Sequence, residues 1–198
     1  CNNVLSIIAC MDIANDDFSY EVISQGLGLK LDEAKGQLDF SKVKNRLFEL
    51  GLAQHAEKSF IVHSLILEYL KLFCIQRNIL LGYISYKSNK YRELLEMQIT
   101  MDMWLADNSF DSINMLFEFL LNDFAPSSSQ EINGIISLLM LNAESVYNCG
   151  IDESCVVLCQ QALALCDLDK DFPYQEIRVN DIKYRIALSK HRLGFYDE

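Results

Sequence analysis

Residues 59–70, Ser59-Phe60-Ile61-Val62-His63-Ser64-Leu65-Ile66-Leu67-Glu68-Tyr69-Leu70, change habit halfway along. Before His63 the residues are short, β-branched and aromatic, a pattern that predicts a strand. After it, apolar residues recur at steps of three and four, which predicts a helix. His63 stands on the junction and is one of three histidines in the chain, with His55 and His191. Just upstream, Leu52 to Ala56 and a polar turn at Glu57-Lys58-Ser59 complete a two-stranded hairpin with Phe60-Ile61-Val62.

Working back from the hairpin, three helices are expected. Val4, Leu5, Ile7, Ile8 and Met11 form the apolar face of the first. The second runs from Phe18 to about Gln25, capped by the acidic turn Asn15-Asp16-Asp17, with Val22 and Ile23 inward. Gly26 and Gly28 end it; Gly-Leu-Gly-Leu-Lys lacks the spacing of a phosphate loop. The third spans about Phe40 to Leu50, with Val43, Leu47 and Leu50 on one face and Gly51 as its stop. Three helices followed by a hairpin resemble a winged-helix domain over residues 1–62. Residues 63–88 then read as a linker helix, continuous over about 63–86.

The chain has 198 residues, 51% of them hydrophobic and 11% aromatic, enough for one sizeable core or two smaller ones. Its formal charge is −11 and unevenly spread. Residues 1–80 hold 8 Lys and Arg against 10 Asp and Glu; residues 81–198 hold 9 against 18. The second half would repel a polyphosphate, which argues against nucleic acid there. Lys42, Lys44 and Arg46 give the third helix a basic outer face and are the candidate DNA contacts, flanked by Asp39 and Glu49. Seven cysteines, an odd number without paired spacing, predict reduced thiols and a cytoplasmic chain. Cys155, Cys159 and Cys166 fall within an apolar helical pattern and read as core; no metal site is expected. No apolar run is long enough to cross a bilayer, so no membrane association is expected.

Residues 89–198 repeat. Leu105 to Ser112, Tyr147 to Ser154 and His191 to Glu198 each carry a turn residue and then an acidic helix opening. The turn residues Asn108, Gly150 and Gly194 are 42 and 44 residues apart. In the middle copy, Ser128 and Glu131 form a capping box for a helix ending near Cys149, and Asp152 opens its partner helix. Ala143, Gly150, Cys155 and Ala162, with Gln161-Ala162-Leu163-Ala164-Leu165, resemble the small-residue positions of a tetratricopeptide repeat. That resemblance implies a mostly α chain in which an α-α superhelical region follows the winged helix. The third repeat is truncated at Glu198, from which a longer natural protein is expected. Function on such a surface is binding, to a protein partner or peptide. Trp104, Phe117, Phe119, Tyr147 and Tyr184 are the candidate contacts.

No phosphate-loop, metalloprotease or nucleophile-elbow motif is present, so no enzyme activity is expected within these residues. Winged helix, linker and repeats together resemble a segment of a STAND-type signalling ATPase, the class that includes NLR-like sensors. The residues that carry this are Val4 to Ala9, Val43 to Leu52, and Val62 to Leu70. In the family the last of these holds a Met-His-Asp motif whose histidine senses ADP. Here only His63 matches, with Val62 and Ser64 in the flanking places. The resemblance therefore implies a regulatory, protein-interaction segment with no cofactor of its own, ADP or ATP requiring an upstream module. Ser64 would cap the following helix, and His63 would otherwise fill the strand–helix corner. The alternative is a transcription regulator whose winged helix binds DNA while its repeats receive a signal.

Overall fold

α1 (Asn2–Ile13) is wrapped by apolar neighbours: Val4, Ile7, Ile8, Cys10 and Met11 are all buried. The computed structural model describes residues 2–96, 103–124, 126, 128–168 and 173–195, without the side chains of 2, 96 and 103–108. Within these residues the chain is mostly helical, with one two-stranded antiparallel sheet. It divides into two compact units, one of 1–87 with 111–122, the other of 88–110 with 123–198.

In the first unit, α1 is followed by α2 (Tyr20–Gly26) and α3 (Ala34–Glu49). Ser19 caps α2 by accepting from the Val22 amide at 3.2 Å, so the cap is Ser19 rather than the acidic turn before it. α3 begins well ahead of the expected Phe40. Gly36, which discourages a helix in the abstract, is required there because a Cβ would fall 1.9 Å from the Lys30 carbonyl oxygen. Phe40 and Leu47 are buried and Val43 half-buried, whereas Leu50, past the helix end, is exposed.

β1 (Gln54–Ala56) and β2 (Ser59–Ile61) pair antiparallel, Gln54 opposite Ile61 and His55 opposite Phe60. Residues 18–20 lie along the other edge of β2: the Phe60 amide donates to the Phe18 carbonyl and the Tyr20 amide to the Lys58 carbonyl, each at 2.9 Å. Tyr20, Phe40, Phe48 and Phe60 pack edge-on and tilted beneath the hairpin, centroids 4.8–6.4 Å apart.

The expected single helix over 63–86 is two helices, α4 (Ser64–Phe73) and α5 (Arg77–Glu96). The break has a tertiary cause: the Gln76 amide donates to the Ser6 hydroxyl of α1 at 2.8 Å instead of continuing the helical ladder. Asp16, in the loop after α1, accepts from the Tyr83 hydroxyl at 2.6 Å and pairs with Lys87 at 2.7 Å, fixing α5 to that loop. α6 (Met103–Asp123) adds buried Ile113, Leu116, Phe117 and Leu120 to this unit, and the Ser112 hydroxyl donates to the Ala14 carbonyl at 2.7 Å. Asn108, expected as a turn, lies inside α6, so the first of the three repeat copies has no turn where the pattern placed it.

The second unit is built on α7 (Ser129–Asn148), α8 (Asp152–Cys166) and α9 (Gln175–Arg192), with α8 packed against both others. Ser128 caps α7 through the Glu131 amide at 3.2 Å. α7 stops at Gly150 (φ 77°) in a Schellman arrangement: Gly150 donates to the Tyr147 carbonyl at 3.0 Å and Ile151 to the Val146 carbonyl at 2.9 Å. α9 ends the same way at Gly194. Leu139, Ala143 and Val146 of α7 and Cys155, Leu158, Cys159, Ala162 and Leu165 of α8 are buried, the alanines allowing close approach. Asn142, buried among them, donates to the Ser88 hydroxyl at 3.0 Å.

A candidate binding groove on the second unit

The period-3.6 pattern of α9 turns Arg178, Asp181, Arg185 and Leu188 toward one side. Facing them, α7 contributes Ile136, Ser137 and Met140. The space between is an open groove of about 530 Å³, within the range that takes ligand side chains rather than a solvent molecule or two. Its floor is aliphatic, and its rim carries Tyr184, 67 % exposed.

The groove's two arginines are held from behind. Arg178 donates to the Asn133 side-chain oxygen of α7. Arg185 lies over the Tyr147 ring, its guanidinium carbon 5.0 Å from the centroid, and Arg192 covers the same ring at 4.3 Å. Tyr147 is half-buried and serves as a platform for two arginines, whereas Tyr184 offers its ring to solvent. These restraints reduce the side-chain freedom a ligand would otherwise have to freeze.

Of the other candidate contacts, Phe117 is fully buried in the first unit, which removes it from any binding surface. Phe119 is half-buried, and the side chain of Trp104 lies outside the described residues. Of the groove residues on α9 only Tyr184 was among the candidates; Arg178, Asp181, Arg185 and Leu188 were not, although their spacing displays them on one face.

His63 is exposed and caps α4: its Nδ1 accepts from the Leu65 amide at 3.2 Å. The cap is thus His63, not Ser64, and the corner interaction is local. On α3, Lys42 pairs with Asp39 at 3.0 Å and Arg46 with Glu49 at 3.3 Å. Lys44 sits 5.3 Å from the Tyr20 ring centroid. The three cations point to different local partners and form no focused patch for a phosphate backbone.

Cys155 and Cys159 are buried neighbours on α8. A hydrogen bond between them lowers the Cys155 thiol and, with burial, raises that of Cys159. Among the described residues no group of three His, Cys, Asp or Glu could hold a metal, and no helix is long and apolar enough to cross a membrane. A second, smaller crevice of about 160 Å³ lies in the first unit between Gln25, Ile79 and Tyr86. Comparison with protein-family models, curated proteins and solved structures finds no match to the chain.

Proposed function

We propose that the chain is a non-catalytic interaction segment of a signalling ATPase, and that it holds a protein or peptide partner in the α7–α9 groove. The observation that carries this is the groove itself: an aliphatic floor of Ile136, Met140 and Ile182, an exposed Tyr184, and guanidinium groups fixed by Asn133 and Tyr147. A trough with an aliphatic floor and a charged border of Arg178, Asp181 and Arg185 suits a side-chain-presenting segment with apolar and charged residues.

The signalling-ATPase setting draws its support from element order in the first unit. Three helices lead into a hairpin whose outer edge is joined by residues 18–20, and a helix capped by His63 follows. In that setting the chain supplies regulation, and any contact of His63 with ADP would depend on a nucleotide module outside these residues.

A random peptide library displayed on phage and panned against the chain tests the groove. It is expected to enrich sequences whose binding is lost in Ser137→Trp, which fills the trough from an exposed position. A circular-dichroism melt unchanged by the substitution verifies the fold. No enrichment over the Ser137→Trp control would sink the reading.

A further inference from the structure

α9 is the basic helix of an acidic unit. It carries Arg178, Lys183, Arg185, Lys190 and Arg192 against Glu176 and Asp181. α7 and α8 together carry four carboxylates and no lysine or arginine. Some of the basic charge is matched within the chain, as where Arg192 pairs with Asp152 at 3.1 Å. Arg185 differs. It is half-buried in the groove wall, its guanidinium rests over the Tyr147 ring, and among the described residues no carboxylate stands within ion-pair distance of it. The ring holds the cation in place without neutralising it. Partial burial strengthens its pull on an anion, because less water lies between them.

Arg178 lines the same groove seven residues earlier, two helical turns and about 10 Å away on the same face. Asp181 lies between the two, exposed and about one turn from each. The wall from α7, Ile136, Ser137 and Met140, has no charge. The lining therefore holds two cations and one anion, in a chain whose formal charge is −11.

This polarity selects the occupant. A basic segment would meet two arginines. A wholly apolar one would strip water from Arg185 and offer no anion in return. A polyphosphate would extend over the surrounding unit, which holds 16 Asp and Glu against 8 Lys and Arg and repels it. A short segment with one or two carboxylates feels chiefly the charges within about 8–10 Å, those of the groove itself. Building on the groove as a peptide site, we infer that its partner is an acidic segment with interspersed apolar residues. One partner carboxylate sits on Arg185 while an apolar neighbour covers Ile136 and Met140. Asp181 opposes an unbroken acidic run, so isolated carboxylates fit best.

The displayed peptide library, panned against the chain with Ser137→Trp as the counter-selection, tests this. Sequences retained only by the parent are expected to hold more Asp and Glu, and fewer Lys and Arg, than the unselected library. Fluorescence anisotropy of the most enriched acidic peptide then compares variants. Asp181→Asn removes the groove's one negative charge at an exposed position and is expected to tighten binding roughly two- to five-fold. Arg185→Gln is expected to weaken it roughly ten-fold, with a circular-dichroism melt to verify its fold. The Asp181→Asn effect is a gain, which a damaged fold does not produce. Retained sequences without an acidic excess overturn the inference and leave the groove standing as a peptide site. No retained sequence at all overturns both. Binding by Asp181→Asn no tighter than the parent also overturns the inference, whatever Arg185→Gln does.

Discussion

Arg192 Nε lies 3.1 Å from Asp152 Oδ2, joining the last residue of α9 to the first of α8. The same guanidinium donates to the Tyr147 carbonyl at 3.1 Å, and so braces the turn between α7 and α8. Asp152 is 7 % exposed, and a carboxylate so placed depends on its cation. Arg192→Ala is expected to lower the thermal midpoint of the second unit clearly. Arg192→Lys should fall between, since it keeps charge without the planar fork. Lys183→Ala, exposed on the same helix, is the control. Equal midpoints for Arg192→Ala and Lys183→Ala would show the brace contributes nothing.

Three helical glycines should respond with opposite signs. At Gly82 and Gly134 an added Cβ meets nothing within 4 Å, so alanine there should stabilise by roughly 0.5–1 kcal/mol through helix propensity. At Gly36 the methyl would collide with the Lys30 backbone, and Gly36→Ala should destabilise by roughly 1–3 kcal/mol. Urea denaturation of the three variants measures both signs. A stabilised Gly36→Ala would mean that residues 30–36 do not approach as described.

Alkaline pH should loosen the first unit. Burial pushes the Cys10 thiol up from its ordinary 9.0 to about 12, and burial followed by the Asp16 carboxylate raises Tyr83 as well. Both groups stay protonated in the folded chain, so their contribution is complete below pH 9 and is lost as pH rises from 9 toward 12. The slope attributable to Cys10 is about 1.4 kcal/mol per pH unit in that window. Thermal midpoints recorded from pH 7 to 11 should fall above 9, and Cys10→Ala should flatten the fall between 9 and 10. A midpoint independent of pH across that range would contradict the burial of both groups.

His63 accepts the Leu65 amide at a position where serine, aspartate or asparagine is the usual capping acceptor. His63→Ala should destabilise α4 by about 0.5–1 kcal/mol. His63→Asp should match or exceed the parent, since it keeps an acceptor and adds a negative charge at a helix N-terminus. Chemical denaturation of the three proteins decides. Identical stabilities would deny the histidine its capping role.

The hairpin, the stops at Gly51 and Gly150, and the Ser128 cap were legible because each rests on residues within one or two turns of each other. The break between α4 and α5 was not, because its cause is a Ser6 hydroxyl 70 residues upstream of Gln76. The start of α3 was hidden by Gly36, a residue that weakens a helix locally and is demanded by a tertiary approach. At Asn108, the string Asn-Ser-Phe-Asp carries turn chemistry that the surrounding helix overrides. Tyr147 was singled out for its type, but only the fold shows it beneath Arg185 and Arg192, with Tyr184 left at the rim.

Hydrogen–deuterium exchange on the chain, with and without a peptide selected from the displayed library, tests the groove most directly. Slowed exchange confined to residues 133–140 of α7 and 178–188 of α9, and absent in Ser137→Trp, is the expected result. Protection elsewhere, with α7 and α9 unchanged, would contradict it.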